Sequence, residues 1–350
     1  MHIAIDTSPL ESAHSVRGTG IYTKLLVEAL QKHETSHTYS FFTRSQKVPN
    51  NADLVHYPYF DPFFLTLPVF HNKPVVVTVH DLIPIRFPDK FPRGIRGSLK
   101  WGLQRTALGR AERIITDSLC SGRDIERFVH FSKEKIDVIY LAASDEYGPE
   151  TDTKTLDIVR RKYSLPKYYL VYTGDINWNK NVPGFLEAFG KITPRKDIHL
   201  LLVGKSFLQG ELPEVREIRH TIETNGIQDN VRMLGFVPTE DLRSIYTLGQ
   251  AAILPSFYEG FGLPVLEAMA CGAPAIVAKG SSLDEIAGPA LRIDPYDVGT
   301  IAKGISEVFA MSESEHRILS EASRAWANSF TWEKVAKETV VSYRKALHGS

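Results

Sequence analysis

Residues 255–272, PSFYEGFGLPVLEAMACG, set two carboxylates, Glu259 and Glu267, on either side of a glycine-rich turn. Ionised carboxylates only accept hydrogen bonds, so they suit the hydroxyls of a sugar or ribose. The preceding AAILP reads as a strand and LPVLEAMACG as a helix, with Pro264 at the first helical position and Gly272 just past the end. Gly260 and Gly262 let the backbone approach a ligand closely. Amides near Gly262 and Leu263 at the helix start then favour an anion such as phosphate. Glu259 falls in the turn, next to Gly260 and Phe261, and Glu267 is expected in the first helical turn. Two acceptors around a phosphate seat suit a sugar nucleotide, which carries hydroxyls on both sides of a diphosphate. Spacing alone leaves a plainer alternative open: Glu267 complements the helix dipole and Glu259 is a solvated loop residue.

The elements that must position these residues follow an α/β plan used twice. Short apolar runs (HIAID, KPVVVTV, ERIIT and IDVIYL, then YYLVYTG, HLLLVG, VRMLGF, AAILP, APAIVA and LRID) lack polar alternation and read as buried parallel strands. Helical periodicity separates them, as in GIYTKLLVEALQKH and NVPGFLEAFGKI. Residues 142–167 begin with small, acidic and turn-forming residues and contain no strand, which sets domains of 1–150 and 151–330. At the end of the chain, Thr331 is expected to cap a helix anchored by Val335, Val340, Val341 and Tyr343. In open sheets of this kind ligands bind beyond the carboxyl ends of the strands, where the Glu259 turn lies.

Composition agrees with two soluble domains: 350 residues, 43% hydrophobic and 23% charged. Lys and Arg equal Asp and Glu at 41 each, so no global charge points to nucleic acid. Cys120 and Cys271 are the only cysteines, which argues against a disulfide framework or thiolate metal site, and no cluster with metal-ligand spacing occurs. The start HIAID shows no signal segment and no run spans a bilayer, so a cytoplasmic protein is expected.

The stretch PSFYEGFGLPVLEAMACGAPAIVA resembles the donor-site signature of retaining glycosyltransferases of family 4. The resemblance implies the GT-B fold, two Rossmann-like domains whose parallel sheets face a cleft, with a C-terminal helix (331–350) that crosses back to the first domain. It implies transfer of a sugar from a nucleotide donor to a hydroxyl acceptor with retention, without metal or cofactor. Glu259 would bind sugar hydroxyls and Glu267 the ribose diol. RGTGIYTKLLVEAL is similar to the family's glycine loop before the first helix, placing Gly18 and Gly20 near the diphosphate. VTVHDLIPIRFPDKF resembles the His-Asp element of mannosyltransferases and related members. There His80 would face the transferred sugar, and Asp81 would order the loop or meet the acceptor. The likeness favours GDP-mannose over a UDP-sugar. IITDSLCSGRDIERF is similar to another shared segment, whose Ser118 and Ser121 simple N-capping also explains.

YTGDINWNKN departs from the family pattern, with Asn179 where many members have arginine; only Lys180 remains to pair with phosphate. Asp175 either caps its own loop or gives the pocket different electrostatics. These departures keep a non-catalytic nucleotide-sugar binder as the rival reading. Backbone groups of Phe236 and Val237 are expected to read the base edge, although a strand end with a helix cap at Thr239 fits the same letters. On the acceptor side, residues 86–113 carry eight basic residues against Asp89 and Glu112, with Arg93, Arg96 and Lys100 at helical spacing beside Trp101, after an aromatic-rich segment. Two explanations are open: a solvated basic helix, or a surface for anionic membrane or a lipid-linked glycan acceptor.

Overall fold

The apolar runs form strands because Val- and Ile-rich segments without alternation bury both faces when helices cover the sheet. The computed structural model describes residues 1–11, 18–192 and 197–349. It divides into two compact units, Met1–Leu141 with Thr331–Ser350, and Ala142–Phe330. The change therefore falls ahead of the expected boundary at 150.

Among the described residues the first unit holds a six-stranded parallel sheet of β1 (His2–Asp6), β2 (Thr38–Phe42), β3 (Leu54–Tyr57), β4 (Val75–Thr78), β5 (Arg113–Thr116) and β6 (Ile136–Val138), in the order β2-β1-β3-β4-β5-β6. The second unit's sheet, also parallel, comprises β7 (Tyr168–Thr173), β8 (Ile198–Val203), β9 (Val231–Gly235), β10 (Ala251–Leu254), β11 (Ala275–Ala278) and β12 (Leu291–Ile293), in the order β12-β11-β10-β7-β8-β9. Read from its other edge, that is the doubly wound order in which the chain reverses direction between its first and fourth strands, β7 and β10. A crevice opens at such a switch, beyond the carboxyl ends of the two strands.

The terminal helix Trp332–His348 packs on the helix Gly18–His33 and on β4 and β5 of the first unit. Thr331 caps it, accepting a hydrogen bond from Lys334 N at 3.2 Å. Val335, Val340 and Tyr343 are buried as expected, but Val341 is exposed, because it falls on the outward side of the helix next to the buried Val340. Lys345 closes the far end on Asp137 at 2.9 Å, a carboxylate that Arg113 also grips at 2.5 and 2.9 Å.

Candidate active site

In the second unit, the segments that follow β7 and β10 meet because those strands are neighbours. After β7 the chain makes a short 3-10 turn, Trp178–Lys180, and Asn181 then takes a left-handed backbone at φ 53°. After β10 comes the turn 255–262. Lys180 Nζ donates to both carboxylate oxygens of Glu259, at 2.7 and 2.9 Å, and Ser256 Oγ donates to Oε1 at 2.6 Å. The two segments are also tied through the backbone. Phe257 N donates to the Asn179 carbonyl at 2.7 Å, and Asn179 Nδ2 donates to the Tyr258 carbonyl at 3.0 Å. The Trp178, Phe257 and Tyr296 rings stack in series at 5.0 and 4.8 Å. Buried Asn179 thus uses its amide inside the turn rather than offering it to a ligand. Asp175 is exposed and caps its own loop, accepting from Ser206 Oγ at 2.8 Å and Ile176 N at 2.9 Å.

The helix of the opening motif runs Leu263–Ala270. Its cap is Gly262, at φ 106°, and a Cβ there would lie 2.3 Å from Leu283 Cδ2, so only glycine fits. Two expectations need correction. Pro264 is the second helical residue, and Glu267 lies beyond the first turn, because the left-handed Gly262 starts the helix at Leu263. Glu267 therefore sits back from the free amides. Burial pushes its carboxyl up to about 7, with a hydrogen bond from Tyr147 pulling the other way. Tyr147 in turn bonds Thr239. Thr239 is the first helical residue and not the cap, which is Pro238. Of the expected base-reading pair, Phe236 is exposed and Val237 buried. Gly260 and Phe261 are buried, so Phe261 can present only its main chain, and Ser282 Oγ reaches the carbonyls of Glu259 and Phe261 at 2.9 and 3.0 Å.

In the first unit the ends of adjacent strands β4 and β5 bring His80 and Asp117 together, with Nδ1 and Oδ2 2.6 Å apart. Burial would lower the imidazole's pKa, but the charge and hydrogen bond of Asp117, helped by Asp81, leave it above the ordinary 6.5. Ser118 caps the next helix and Ser121 Oγ donates to the His80 carbonyl at 2.9 Å. The edge of Tyr22 faces the His80 ring at 4.6 Å. Its hydroxyl lies 3.1 Å from Thr78 Oγ1, which lies 2.9 Å from His56 Nε2, and His56 Nδ1 lies 2.7 Å from Tyr343 OH on the terminal helix. Burial, with the charge of His80, lowers the His56 pKa to about 3, so this ring is neutral. Asp81 caps the turn Ile83–Arg86 by accepting from Ile83 N at 2.9 Å.

A protein-family model described as Glycosyl transferases group 1 matches residues 157–326, and one described as Glycosyltransferase Family 4 matches 34–146. The O-antigen chain mannosyltransferase B of Escherichia coli is 30% identical over 270 residues, covering 77% of this chain and 70% of that protein. The chain belongs to glycosyltransferase family 4. The serotype-specific mannosyltransferase WbdA of Escherichia coli is 25% identical over 83% of this chain, which spans only 36% of WbdA. Sucrose-phosphate synthase from Thermosynechococcus elongatus superposes with a TM-score of 0.78 at 21% identity, covering both chains fully, and supports the GT-B fold.

In this family 4 chain the structure brings Lys180, Asn179 and Glu259 together, with the Gly262–Leu263 helix start on the same turn. Glu267 is placed one layer further in, against Tyr147. Gly18 and Gly20 do not form a loop: they are the first residues of the helix Gly18–His33, and the preceding Arg17 lies outside the described residues. Arg93 precedes the helix Gly94–Leu108, which carries Arg96 and Lys100. Sequence reasoning missed Asp117, Ser256 and Tyr147. Asp117 had a usable signal, an acid at the end of an apolar strand in the same position as His80.

Proposed function

We propose that the protein transfers mannose from GDP-mannose to a hydroxyl of a glycan or lipid-linked acceptor, with retention and without a metal. The observation that carries the proposal is the Lys180–Glu259 pair at the switch between β7 and β10, beside the Gly262 helix start. A diphosphate there competes with Glu259 for Lys180 and gains the amides of the helix start, while the released carboxylate is free to accept sugar hydroxyls. Protonated Glu267, or its anion, serves the ribose diol. His80 is the group assigned to the transferred sugar, with Asp117 setting its orientation and charge. The mannosyltransferase relatives support the choice of sugar. Cys120 and Cys271, both buried thiols, suit the reducing cytoplasm.

The test is thermal shift with GDP, UDP, ADP and their sugar conjugates, followed by an assay for nucleoside diphosphate release. GDP should raise the melting temperature selectively, since a ligand bound only to the folded state stabilises it by mass action. Glu267→Ala should abolish that shift. Equal shifts from all three bases would remove the guanine assignment; selective binding without release in the presence of candidate acceptors would leave a binder and not an enzyme.

A further inference from the structure

The helix Gly94–Leu108 buries one face, through Trp101, Gln104, Ala107 and Leu108. On the opposite face Ile95, Leu99 and Leu103 recur every fourth residue and are 83%, 67% and 50% exposed. Spacing by four places them in one stripe along the helix. The aromatic segment before the helix adds further exposed apolar side chains, Phe64, Leu65 and Phe70. Gln104 Oε1 accepts from Thr66 N at 2.8 Å and Leu67 N at 2.9 Å, and its Nε2 donates to the Leu67 carbonyl at 3.0 Å. This clamp holds the neighbouring Phe64 and Leu65 beside the helix with their side chains exposed.

Cations border the stripe on both sides. By helical geometry Arg96 and Lys100 flank one edge and Arg105 the other. Lys100 Nζ lies 5.3 Å above the Phe64 ring, and the Arg110 guanidinium lies 4.9 Å above Phe70, itself exposed. From Phe91 to Ala111 the sequence contains five basic residues and no acid. We infer that this face docks on an anionic lipid bilayer, with Ile95, Leu99 and Leu103 entering the acyl boundary and the cations at the lipid phosphates. Long basic side chains can lay their stems along apolar surface while their heads stay at the headgroups, which explains why both kinds of residue are interleaved here. A second copy would bring the same positive charge face to face, so the charge selects a negatively charged surface. No helix among the described residues is long and apolar enough to cross a membrane. The contact is therefore peripheral, and it does not depend on the donor assigned above.

The experiment is co-sedimentation of the full chain with phosphatidylcholine vesicles and with vesicles enriched in phosphatidylglycerol, at low and high salt. The parent should bind the anionic vesicles and release in salt. Arg96→Gln/Lys100→Gln should bind about 30-fold more weakly, from the attraction each cation near an anionic surface contributes. Ile95→Ser/Leu99→Ser/Leu103→Ser should lose about 100-fold, since each apolar side chain withdrawn from water contributes to partition. Ile95, Arg96, Leu99 and Leu103 are exposed and Lys100 is half-buried, and an unchanged melting curve will establish that the variants fold. Failure of the parent to bind anionic vesicles at low salt would overturn the inference. So would loss in the charge variant alone, which would leave no inserted stripe, and so would concentration-dependent dimerisation abolished by the serine variant in the absence of vesicle binding.

Discussion

Each unit places a basic and an acidic side chain together at the ends of two neighbouring strands, but the pairs are supported in opposite ways. In the second unit Lys180 and Glu259 lie at the switch between β7 and β10, and nearly everything that holds Glu259 comes from its own turn or the segment it faces. In the first unit His80 and Asp117 lie just past the ends of β4 and β5, away from the switch between β1 and β3, and their surroundings are gathered from distant segments. Tyr22, Thr78, His56 and Tyr343 link the His80 neighbourhood to the terminal helix. A switch-point crevice supplies helix-start amides ready-made, so a short turn suffices there. A buried histidine whose pKa a neighbouring carboxylate raises requires a wider polar network to satisfy its neighbours.

The strongest way to break this comparison is to remove Lys180. Lys180→Ala leaves the buried Glu259 carboxylate with only Ser256, which should lower the stability of the second unit by about 3 kcal/mol in urea denaturation. Adding Glu259→Gln should restore most of it. A double variant as unstable as Lys180→Ala alone would show that the pair is not coupled and that the turn is held by its backbone bonds.

The counterpart in the first unit is Asp117→Asn, which keeps the shape and removes the charge. Donor turnover should fall about 100-fold, the usual scale for a mispositioned proton-bearing group. The pH dependence has a defined sign. Because Asp117 and Asp81 raise the folded pKa of His80 above 6.5, the stability this contributes is fully present below 6.5 and is lost as pH rises through the folded value. The parent's advantage over Asp117→Asn should thus be larger at pH 5.5 than at pH 8; the reverse order would mean that His80 is neutral when folded.

These two regions also differ in how far they could be read from the amino-acid sequence. Ten of the twelve strands among the described residues follow apolar runs. The two missed are β2, TYSFF, an edge strand with half-exposed residues, and β3, LVHY, which is short and runs into aromatic sequence. The Glu259 turn was legible because its parts are consecutive, and Gly262 carries the signal of a position no other residue fits. The register of Glu267 was not, since the left-handed cap begins the helix one residue earlier than Pro264 suggests. His80 could be found by its place after a strand, whereas its partner Asp117 follows the next strand and only the strand order joins them. Tyr343 and His56 are 287 positions apart, and no local pattern connects them.

Gly262→Ala sharpens the local half of the comparison. The left-handed backbone and the clash with Leu283 should cost about 2 kcal/mol. A melting temperature equal to the parent's would show that the turn relaxes, and that glycine at 262 is not what shapes the site.

Tyr343→Phe tests the distributed half and should have the smallest effect. The ring still fills its buried position on the terminal helix, so packing is kept and only the hydroxyl at 2.7 Å from His56 Nδ1 is lost. One unsatisfied polar group on a buried neutral histidine costs about 1 kcal/mol. If the hydrogen-bonded chain through Thr78 and Tyr22 orders the His80 surroundings, turnover should fall a few-fold while the donor's binding constant, set in the second unit, stays unchanged. Equal losses in both would place the effect in general destabilisation. A loss of stability with unaltered turnover would confine the network to anchoring the terminal helix, and His80 would then rely on Asp117, Asp81, the Pro58 backbone and the Tyr22 ring.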